Sequence, residues 1–500
     1  MQTITAPEHW ISLRELLPEA EFFGAADIRI GRCCRDSRRL QPGDLFVALT
    51  GATDDGHQYI REAIQRGATA IVAQQPVVDA SVPICIVPDT AEAYGRICQA
   101  LAGDPSQRLK VIGVTGTNGK TTTSCLIASI LATAGRQVGL LGTLAYCDGV
   151  DSSESHMTTP PADELAHWLA RMVANGCTHA VMEVSSHALS QSRLAGMSLD
   201  AACVTNVRRD HLDYHHTMLG YRLAKSRIFR HLSAEAFAVV NADDPTAASY
   251  LQQINGPVLT VGIRNAAEIM ATPLEHHRSQ QTFLLSAGSE SIPIQTDMIG
   301  VHHIYNCLVA AAVGLAYGID LPTVVRGLEA VKSVPGRLQR LECGQPFGVF
   351  VDYAHTPDAL AVVLQTLRDV TSGRLICVFG AGGDRDKEKR PLMTEAVRSA
   401  ADVAIITTDN PRSEDPQAIV AGLLSGLANP AEAIQIPDRA KAIYFALSEA
   451  KPGDCVLIAG KGHETYQLIG SQRLPFDDCE VARQWLYQQS AVSSQLSARS

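Results

Sequence analysis

The sequence lacks several features that would place it in common functional classes. Its 500 residues contain no run of about 18 apolar residues, so no transmembrane helix is expected. No segment concentrates basic residues, and 42 Lys and Arg against 52 Asp and Glu give a formal net charge of −10. A protein that coats nucleic acid is therefore disfavoured. The hydrophobic content of 46% is too high for a disordered chain.

The cysteines follow no recognisable pattern. The 13 Cys are scattered singly except for the neighbours Cys33 and Cys34, and no two of them form a Cys-x-x-Cys pair. This spacing predicts reduced thiols and disfavours a zinc site. The segment Met1–Trp10 carries Glu8 and His9, where a secretory signal would need a basic start and an apolar stretch. We therefore expect a cytoplasmic location.

Short apolar runs recur along the chain, each followed by a turn and a longer helical pattern. They are rich in Val, Ile, Leu and Ala and show no strict apolar–polar alternation, which is typical of strands buried on both faces of a parallel sheet. The predicted fold class is therefore α/β. The runs begin at Asp44, Thr69, Lys110, Ala180, Ala201, Phe237, Val349, Leu375, Asp402 and Cys455.

The chain length predicts about three domains, at roughly 100 to 200 residues each. The polar, proline-containing stretch 103–108 precedes an apolar run and marks a first boundary. A second boundary is expected where Pro335 and Gly336 interrupt a helical pattern. The expected domains are residues 1–108, 109–336 and 337–500.

The strongest local signal is the segment Thr115–Thr122, TGTNGKTT, between an apolar run and a long helical stretch. A glycine-bearing turn there lets backbone N–H groups surround a phosphate, while Lys120 adds a cation and the Thr121 hydroxyl is a ligand for Mg²⁺. Val114 stands where the common form of the motif has glycine, so the match is to a variant. The alternative is a strand–helix turn that binds no ligand.

Two further polar segments follow predicted strands. Glu183 ends one strand, and residues 205–215 follow the next with imidazole and carboxylate groups that include His211. Because ligands of open α/β sheets bind at the carboxyl ends of strands, these groups are candidates for Mg²⁺ beside a triphosphate. Glu183 taken alone would equally serve as a helix cap. His215 and His216 are expected on a solvated loop.

Five segments together resemble the Mur ligase family of ATP-dependent amide-forming enzymes. They extend over most of the chain, at residues 115–122, 183–187, 205–211, 352–358 (DYAHTPD) and 460–464 (GKGHE). The resemblance implies an N-terminal domain that binds a uridine nucleotide and a central ATP-binding domain around a parallel sheet. It also implies a Rossmann-like C-terminal domain that receives an amino acid, with Mg²⁺ as the cofactor.

The resemblance assigns roles around ATP and the metal. It implies that Lys120, Glu183, His211 and Lys225 are catalytic and that Thr121 joins the last three as a metal ligand. The family carries a carbamylated lysine at the position of Lys225, and a carbamate would replace a repelled ammonium with an anion that binds Mg²⁺. The alternative is a surface lysine on an amphipathic helix. The implied ATP contacts are Gly116, Thr117, Asn118, Gly119, Lys120, Thr121, Thr122, Asn306, Arg337, Asp352 and His355.

A second group of positions matches those that bind UDP-N-acetylmuramoyl-dipeptide in the family. The implied contacts are Ser37, Thr158, Thr159, Ser185, Gln191 and Arg193. The segment 50–57 matches a second uridine-binding loop, with a polar surface loop as the alternative.

The segment 409–416, DNPRSEDP, resembles family members that add meso-diaminopimelate. After one amine reacts, this amino acid keeps a carboxylate and an ammonium at its distal end, and Arg412 offers the carboxylate a planar bidentate partner. Lysine has only an ammonium there and would meet Arg412 as a like charge. Outside the family context, residues 409–412 would indicate a turn. The implied contacts are Arg385, Asp409, Asn410, Pro411, Arg412, Gly460 and Glu464.

The implied reaction serves the synthesis of a peptidoglycan precursor. ATP transfers its γ-phosphoryl group to the free carboxylate of the D-glutamyl residue, and the amine of diaminopimelate displaces phosphate from the acyl phosphate. Two alternatives stay open: another ligase of the superfamily, such as a folylpolyglutamate synthetase, and a non-catalytic nucleotide-binding regulator. Neither a nucleic-acid partner nor insertion into a membrane is expected.

Overall fold

The structure is a computed structural model that describes residues 10–51, 54–78 and 80–497, with side chains described as far as residue 489. The start of the chain considered above, residues 1–9, lies outside the described residues, as do residues 52 and 53 of the predicted second uridine-binding loop. Every one of the ten apolar runs contains a strand, so the predicted α/β class is confirmed.

The described residues form three main sheets in succession along the chain. These sheets extend over residues 21–86, 110–296 and 339–459. The predicted domain boundaries after residues 108 and 336 fall between the sheets. The exact limits of the domains stay a prediction.

The N-terminal sheet is small and mostly parallel. Its strand order is β2-β7-β6-β5-β4, and only β2 runs antiparallel to its neighbour. The strands of this part are β1 (Ile11–Ser12), β2 (Glu21–Phe23), β3 (Arg29–Ile30), β4 (Cys33–Cys34), β5 (Leu45–Val47), β6 (Ala70–Ala73) and β7 (Ile84–Ile86). Its helices are α1 (Leu13–Leu16), α2 (Ile60–Gln65) and α3 (Thr90–Leu101).

The central sheet is parallel in the middle and antiparallel at both ends. Its order is β11-β10-β9-β12-β8-β13-β14-β15-β16-β17-β18, with parallel pairing from β9 to β16. The strands are β8 (Lys110–Thr115), β9 (Val138–Leu141), β10 (Ala145–Cys147), β11 (Ser152–Glu154), β12 (His179–Glu183), β13 (Leu199–Val204), β14 (Leu232–Asn241), β15 (Val258–Gly262), β16 (Ile269–His276), β17 (Gln281–Ala287) and β18 (Glu290–Thr296).

Helices cover both faces of the central sheet, which explains why its strands are apolar on both sides. One face packs against α4, α10 and α11, and the other against α5 and α6. The helices of this part are α4 (Lys120–Thr133), α5 (Ala162–Ala174), α6 (Ser186–Ser190), α7 (Leu212–His215), α8 (Met218–Ser226), α9 (Pro245–Ser249), α10 (Val301–Ala316) and α11 (Leu321–Ala330).

The C-terminal sheet has the order β19-β20-β24-β21-β22-β23, and only β19 is antiparallel to its neighbour. A separate hairpin, β25–β26, follows it. The strands are β19 (Gln339–Arg340), β20 (Gly348–Asp352), β21 (Leu375–Phe379), β22 (Val403–Ile406), β23 (Ala433–Gln435), β24 (Cys455–Ala459), β25 (Tyr466–Ile469) and β26 (Gln472–Pro475). The helices are α12 (Pro357–Val370), α13 (Lys389–Ala400), α14 (Pro416–Leu424), α15 (Arg439–Glu449) and α16 (Asp478–Ser497).

The strand order brings the predicted site residues to two sheet edges. In the central sheet, β12, β8 and β13 are neighbours, so the segments that follow them start side by side. In the C-terminal sheet the same holds for β20, β24, β21 and β22. Parallel strands present their carboxyl ends at one edge, where open α/β sheets bind ligands. Among the described residues, no helix is both long and apolar enough to cross a bilayer.

Candidate active site

The segment between β8 and α4 has the geometry of an anion-binding loop. Gly119 adopts a left-handed φ of +86°, and a Cβ atom there would overlap the Asn306 side chain on α10. Glycine is therefore required on both conformational and steric grounds. Among the described side chains, none caps the first turn of α4, which begins at Lys120. The N–H groups of that turn are left to bind an anion.

Two lysines converge on this loop. Lys120 Nζ donates to the carbonyl oxygens of Gly116 and Thr117, each at 3.0 Å, and Lys225 Nζ donates to the same Gly116 oxygen at 2.7 Å. Lys225 is 1% exposed, which rules out the surface lysine considered from the sequence. Burial lowers the pKa of both ammonium groups, and the charge of Lys120 lowers that of Lys225 further.

Glu183 joins the loop to the neighbouring strand ends. Its Oε2 atom accepts hydrogen bonds from the hydroxyls of Thr121 and Thr143, each at 3.0 Å, and Oε1 accepts from the Thr143 N–H at 2.7 Å. The side chain is buried and does not cap a helix, so the simpler alternative for Glu183 is wrong. A carboxylate beside hydroxyl oxygens is the kind of ligand set that Mg²⁺ prefers.

His211 follows β13 on a turn with a left-handed backbone. It has a φ of +52°, and its ring packs edge-on against His187 with the centroids 4.8 Å apart. Burial lowers the pKa of His211 to about 3, against the opposing effect of Asp210. Burial alone raises the pKa of Asp210, but His211, His355 and Lys389 outweigh it and bring the value to about 2. Asp210 is thus a buried anion, and it was not among the residues predicted for the site.

The expectation that His215 lies on a solvated loop is wrong. His215 is part of α7, its Nε2 atom lies 3.0 Å from Ser186 Oγ, and its ring packs against His187 and Tyr221. His216, the next residue, is exposed as expected. The pairing of α7 with α6 across 29 positions is a tertiary contact that no local pattern predicts.

The residues expected around the adenosine lie where the central part meets the C-terminal part. Asn306 Oδ1 accepts from the Thr123 hydroxyl at 3.3 Å, and Arg337 Nη2 donates to Thr121 Oγ1 at 3.1 Å. Asp352 instead binds backbone, accepting the N–H groups of Leu338 and Ala354 at 2.6 and 2.7 Å.

Burial explains the shifted pKa values at this junction. It raises the pKa of the Asp352 carboxyl, against the lowering effect of Arg337. It lowers the pKa of His355 to about 4, and that ring lies 2.7 Å from the Tyr353 carbonyl oxygen. Asp352 is buried and His355 is partly buried at this junction.

The residues expected to bind the dipeptide form one hydrogen-bonded cluster beside Glu183. Thr159 Oγ1 donates to the Glu183 carbonyl at 2.9 Å and accepts the Ser185 N–H at 3.0 Å. The Arg193 guanidinium donates from Nη1 to the Thr159 carbonyl at 2.6 Å. It also donates from Nε and Nη2 to Gln191 Oε1. The Thr158 hydroxyl lies 3.1 Å from Thr143 Oγ1 and can donate to it, since Thr143 donates its own hydrogen to Glu183.

Ser37 lies apart from that cluster, on the N-terminal part of the chain. Its hydroxyl donates to Glu62 Oε2 at 3.2 Å, and Asp36 caps the short turn that Ser37 begins. Ser37 lines a cavity of about 1120 Å³ whose walls include Arg35, Arg38 and Tyr94. Such a cavity is large enough for a nucleotide.

The residues expected to bind the amino acid gather at the C-terminal sheet. Asn410 Nδ2 donates to Glu464 Oε2 at 2.7 Å. Gly460 has a φ of +115°, and a Cβ atom there would overlap the Asp409 carboxylate. The hairpin β25–β26 is bound to the segment 410–412, because the Arg412 N–H donates to the Leu468 carbonyl at 3.0 Å.

Two arginines of this set flank the backbone of Gly382. A Cβ atom on Gly382 would lie 2.9 Å from Arg412 Nη1 and 3.8 Å from Arg385 Cγ. Arg412 Nη1 donates to the Gly383 carbonyl at 2.8 Å, and Arg385 Nη1 to that of Asp384 at 3.0 Å. Within the described part of the chain, neither guanidinium forms an ion pair with a carboxylate. Both are available to an anionic ligand.

Two ion pairs join the central part of the chain to the C-terminal part. Arg209, on the segment after β13, pairs with Glu388 at 2.9 Å, directly before α13. Arg473 of β26 pairs with Glu154 of β11. These ion pairs, with the Arg337–Thr121 hydrogen bond, join the central part of the chain to the C-terminal part.

The chain matches three models of one protein family. These are Mur ligase family, catalytic domain, at residues 30–101; Mur ligase middle domain, at residues 114–314; and Mur ligase, glutamate ligase domain, at residues 336–462.

Similar proteins carry a common name. The chain is 44% identical to the UDP-N-acetylmuramoyl-L-alanyl-D-glutamate--2,6-diaminopimelate ligase of Geobacillus thermodenitrificans, covering 90% of this chain and 93% of that protein. It is 44% identical to the ligase of the same name from Bacillus licheniformis, covering 92% and 96%. A solved structure of a ligase with this name is 33% identical, with a TM-score of 0.68 and coverage of 96% and 100%.

Proposed function

Because this chain belongs to the Mur ligase family, we propose that it joins meso-2,6-diaminopimelate to UDP-N-acetylmuramoyl-L-alanyl-D-glutamate in an ATP-dependent reaction. The product is a peptidoglycan precursor. The observation that carries the proposal is the presence in one chain of an anion-binding loop and of two guanidinium groups that form no ion pair among the described residues. The first suits a triphosphate and the second an amino acid with an extra carboxylate.

The phosphate loop binds ATP and directs its γ-phosphoryl group to the substrate carboxylate. The N–H groups at the start of α4 and the Lys120 ammonium face the phosphates and stabilise the charge that develops on the transferred group. Asn306 and Arg337 bind Thr123 and Thr121 in the first turn of α4, and in this proposal they contact the adenosine. An acyl phosphate on the D-glutamyl carboxylate results.

The residues around Glu183 fit Mg²⁺. Thr121 and Glu183 supply a hydroxyl and a carboxylate oxygen that lie 3.0 Å apart, and His211 lies at the same strand ends. Bound there, Mg²⁺ would neutralise charge on the phosphates. Lys225 fits this set only when it loses its positive charge. Its ammonium and that of Lys120 donate to the same Gly116 carbonyl oxygen, and two cations there would repel a metal ion.

We therefore propose that Lys225 is carbamylated. The neutral amine attacks carbon dioxide, an N–C bond forms and one proton leaves to water, so that an ammonium is replaced by an anion. Burial and the neighbouring Lys120 both favour the neutral amine that this step requires. The carbamate oxygens would complete the ligands of the metal.

The cluster of Thr158, Thr159, Ser185, Gln191 and Arg193 would hold the muramoyl-dipeptide beside the γ-phosphate. Arg193 is fixed by the Thr159 carbonyl and by Gln191, so its guanidinium is already oriented for an anionic substrate. The cavity at Ser37 would receive the uridine nucleotide.

The acceptor enters from the C-terminal side. Arg412 would bind the distal carboxylate of diaminopimelate, Arg385 the other carboxylate and Glu464 the distal ammonium. The amine then attacks the acyl phosphate, the new C–N bond forms, the nitrogen loses one proton to water, and phosphate leaves with the electrons of the C–O bond. We place this reaction in the cytoplasm.

A screen of amino acids tests the proposed function. Purified protein with ATP, Mg²⁺ and the UDP-linked dipeptide should release phosphate with meso-diaminopimelate and far less with lysine, alanine or glutamate. A preference for glutamate on a folate substrate would instead indicate a folylpolyglutamate synthetase. Nucleotide binding without phosphate release under any condition would indicate a regulator.

A further inference from the structure

A buried lysine lies at the centre of the predicted acceptor site. Lys461 follows Gly460 on the turn after β24, and its side chain is fully buried, with 0% exposure. Its Nζ atom donates to Glu464 Oε2 at 3.0 Å and to Asn410 Oδ1 at 3.2 Å. Removing an ammonium from water is costly unless such partners compensate. Lys461 is therefore held in one position.

The three side chains close a ring of hydrogen bonds. Glu464 Oε2 also accepts from Asn410 Nδ2 at 2.7 Å, so each member of the set contacts the other two. Asn410 Oδ1 accepts the Leu468 N–H at 2.9 Å, which attaches the ring to β25. Both donors to Glu464 use Oε2, and among the described residues Oε1 has no donor. Oε1 remains for a ligand.

The hydrogen-bonded ring of Lys461, Glu464 and Asn410 determines how much negative charge the site offers to a ligand. Lys461 compensates the charge of Glu464, while Arg412 and Arg385 add two cations beside Gly382. A bare ammonium entering this site meets a carboxylate that is already paired and an arginine of like charge. A distal group with both charges gives its carboxylate to Arg412 and its ammonium to Glu464 Oε1.

We infer that Lys461 is a positioning residue that determines which acceptor the enzyme takes. It orients Glu464 and Asn410 and cancels the charge of Glu464, so the site selects an amino acid with a zwitterionic distal end over one with a bare amine. The inference rests on the proposed function, because it assumes that this cluster receives the acceptor.

Steady-state kinetics of three variants test it. In Lys461→Met we expect the KM for meso-diaminopimelate to rise about tenfold, while the KM values for ATP and the UDP-linked dipeptide stay within about twofold. The ratio of kcat/KM for lysine over diaminopimelate should also rise about tenfold, since Glu464 is no longer compensated. Lys461→Arg keeps the charge and should restore most of the selectivity.

Lys451→Met, at an exposed lysine before β24, is the matched control.

Lys461→Gln removes the charge but keeps a hydrogen-bond donor at this position and leaves Glu464 unchanged, and it decides the matter if Lys461→Met does not fold. It should raise the KM for diaminopimelate and the lysine ratio as Lys461→Met does. An unchanged KM and an unchanged lysine ratio in the folded variant would overturn the inference, and so would an equal rise in the KM for ATP. If the wild-type protein itself does not use diaminopimelate, the proposed function fails, which is a separate result.

Discussion

The ammonium groups of Lys120 and Lys225 share one hydrogen-bond acceptor, the carbonyl oxygen of Gly116, at 3.0 and 2.7 Å. A shared acceptor keeps the two cations within about 6 Å, the range in which like charges disfavour each other. Carbamylation of Lys225 would convert this repulsion into attraction. The proposed chemistry of the phosphate loop depends on that change.

The first prediction concerns Lys225. Lys225→Ala should be inactive because the anion that completes the metal set is lost, and short carboxylic acids such as acetate should restore part of the activity. The measurement is phosphate release with and without added acid. Chloride at equal ionic strength is the control, and Lys120→Ala should not respond to acetate. Absence of any recovery would contradict the carbamate.

Lys120→Ala should lower kcat by about 10³-fold, because a cation at the transferred phosphoryl group is lost. The exposed Lys332→Ala is the matched control and should retain wild-type activity. Turnover of Lys120→Ala within about tenfold of wild type would refute the assigned role.

Arg412→Lys tests the recognition of the distal carboxylate. Loss of the planar fork should raise the KM for diaminopimelate about tenfold and leave the KM for ATP nearly unchanged. Arg398→Lys, at an exposed position of α13, provides the control. The assignment is wrong if both KM values change together, or if wild-type protein already prefers lysine.

The ion pair between Glu414 and Arg390 should make the stability of the folded protein depend on pH. The Glu414 carboxylate pairs with both terminal nitrogens of the buried Arg390, at 2.8 and 2.7 Å, and Arg390 lowers the pKa of Glu414 to about 2. Glu414→Gln should therefore reduce the free energy of unfolding by about 3 kcal/mol at neutral pH. Because the folded pKa is depressed, this contribution is complete above the unfolded pKa of about 4.5 and is lost as the pH falls towards 2.

Denaturant unfolding of Glu414→Gln and wild type at several pH values measures this difference. The exposed Glu395→Gln is the control and should match wild type throughout. Equal stabilities at neutral pH, or a difference that grows in acid, would contradict the role of the Arg390–Glu414 pair.

Much of the fold was predictable because the signals are local. The apolar runs at Lys110 and Leu375 could be predicted as strands because each is apolar on both faces. The glycines before Lys120 indicate a turn, since Gly116 and Gly119 both adopt positive φ angles there. Glu183 could be placed at a sheet edge because it ends such a run.

Long-range contacts were not predictable from local patterns. His215 packs beside Ser186 through a pairing of α7 with α6, so its neighbours in the sequence do not reveal its burial. Asp210 and Lys461 are buried charges that depend partly on distant segments, through His355 and Lys389 for Asp210 and through Asn410 for Lys461. Lys225 was selected through the family resemblance, and its position 109 residues from Gly116 explains why its own helix does not identify it.

The central claim is that ATP activates a carboxylate that an amine then attacks. The most direct measurement follows phosphate and the UDP-linked tripeptide together in one reaction of wild-type protein with ATP, Mg²⁺, UDP-linked dipeptide and meso-diaminopimelate. The account predicts one phosphate for each new peptide bond, with no product when any component is left out. Phosphate released without the tripeptide, or a tripeptide formed without phosphate, would contradict it.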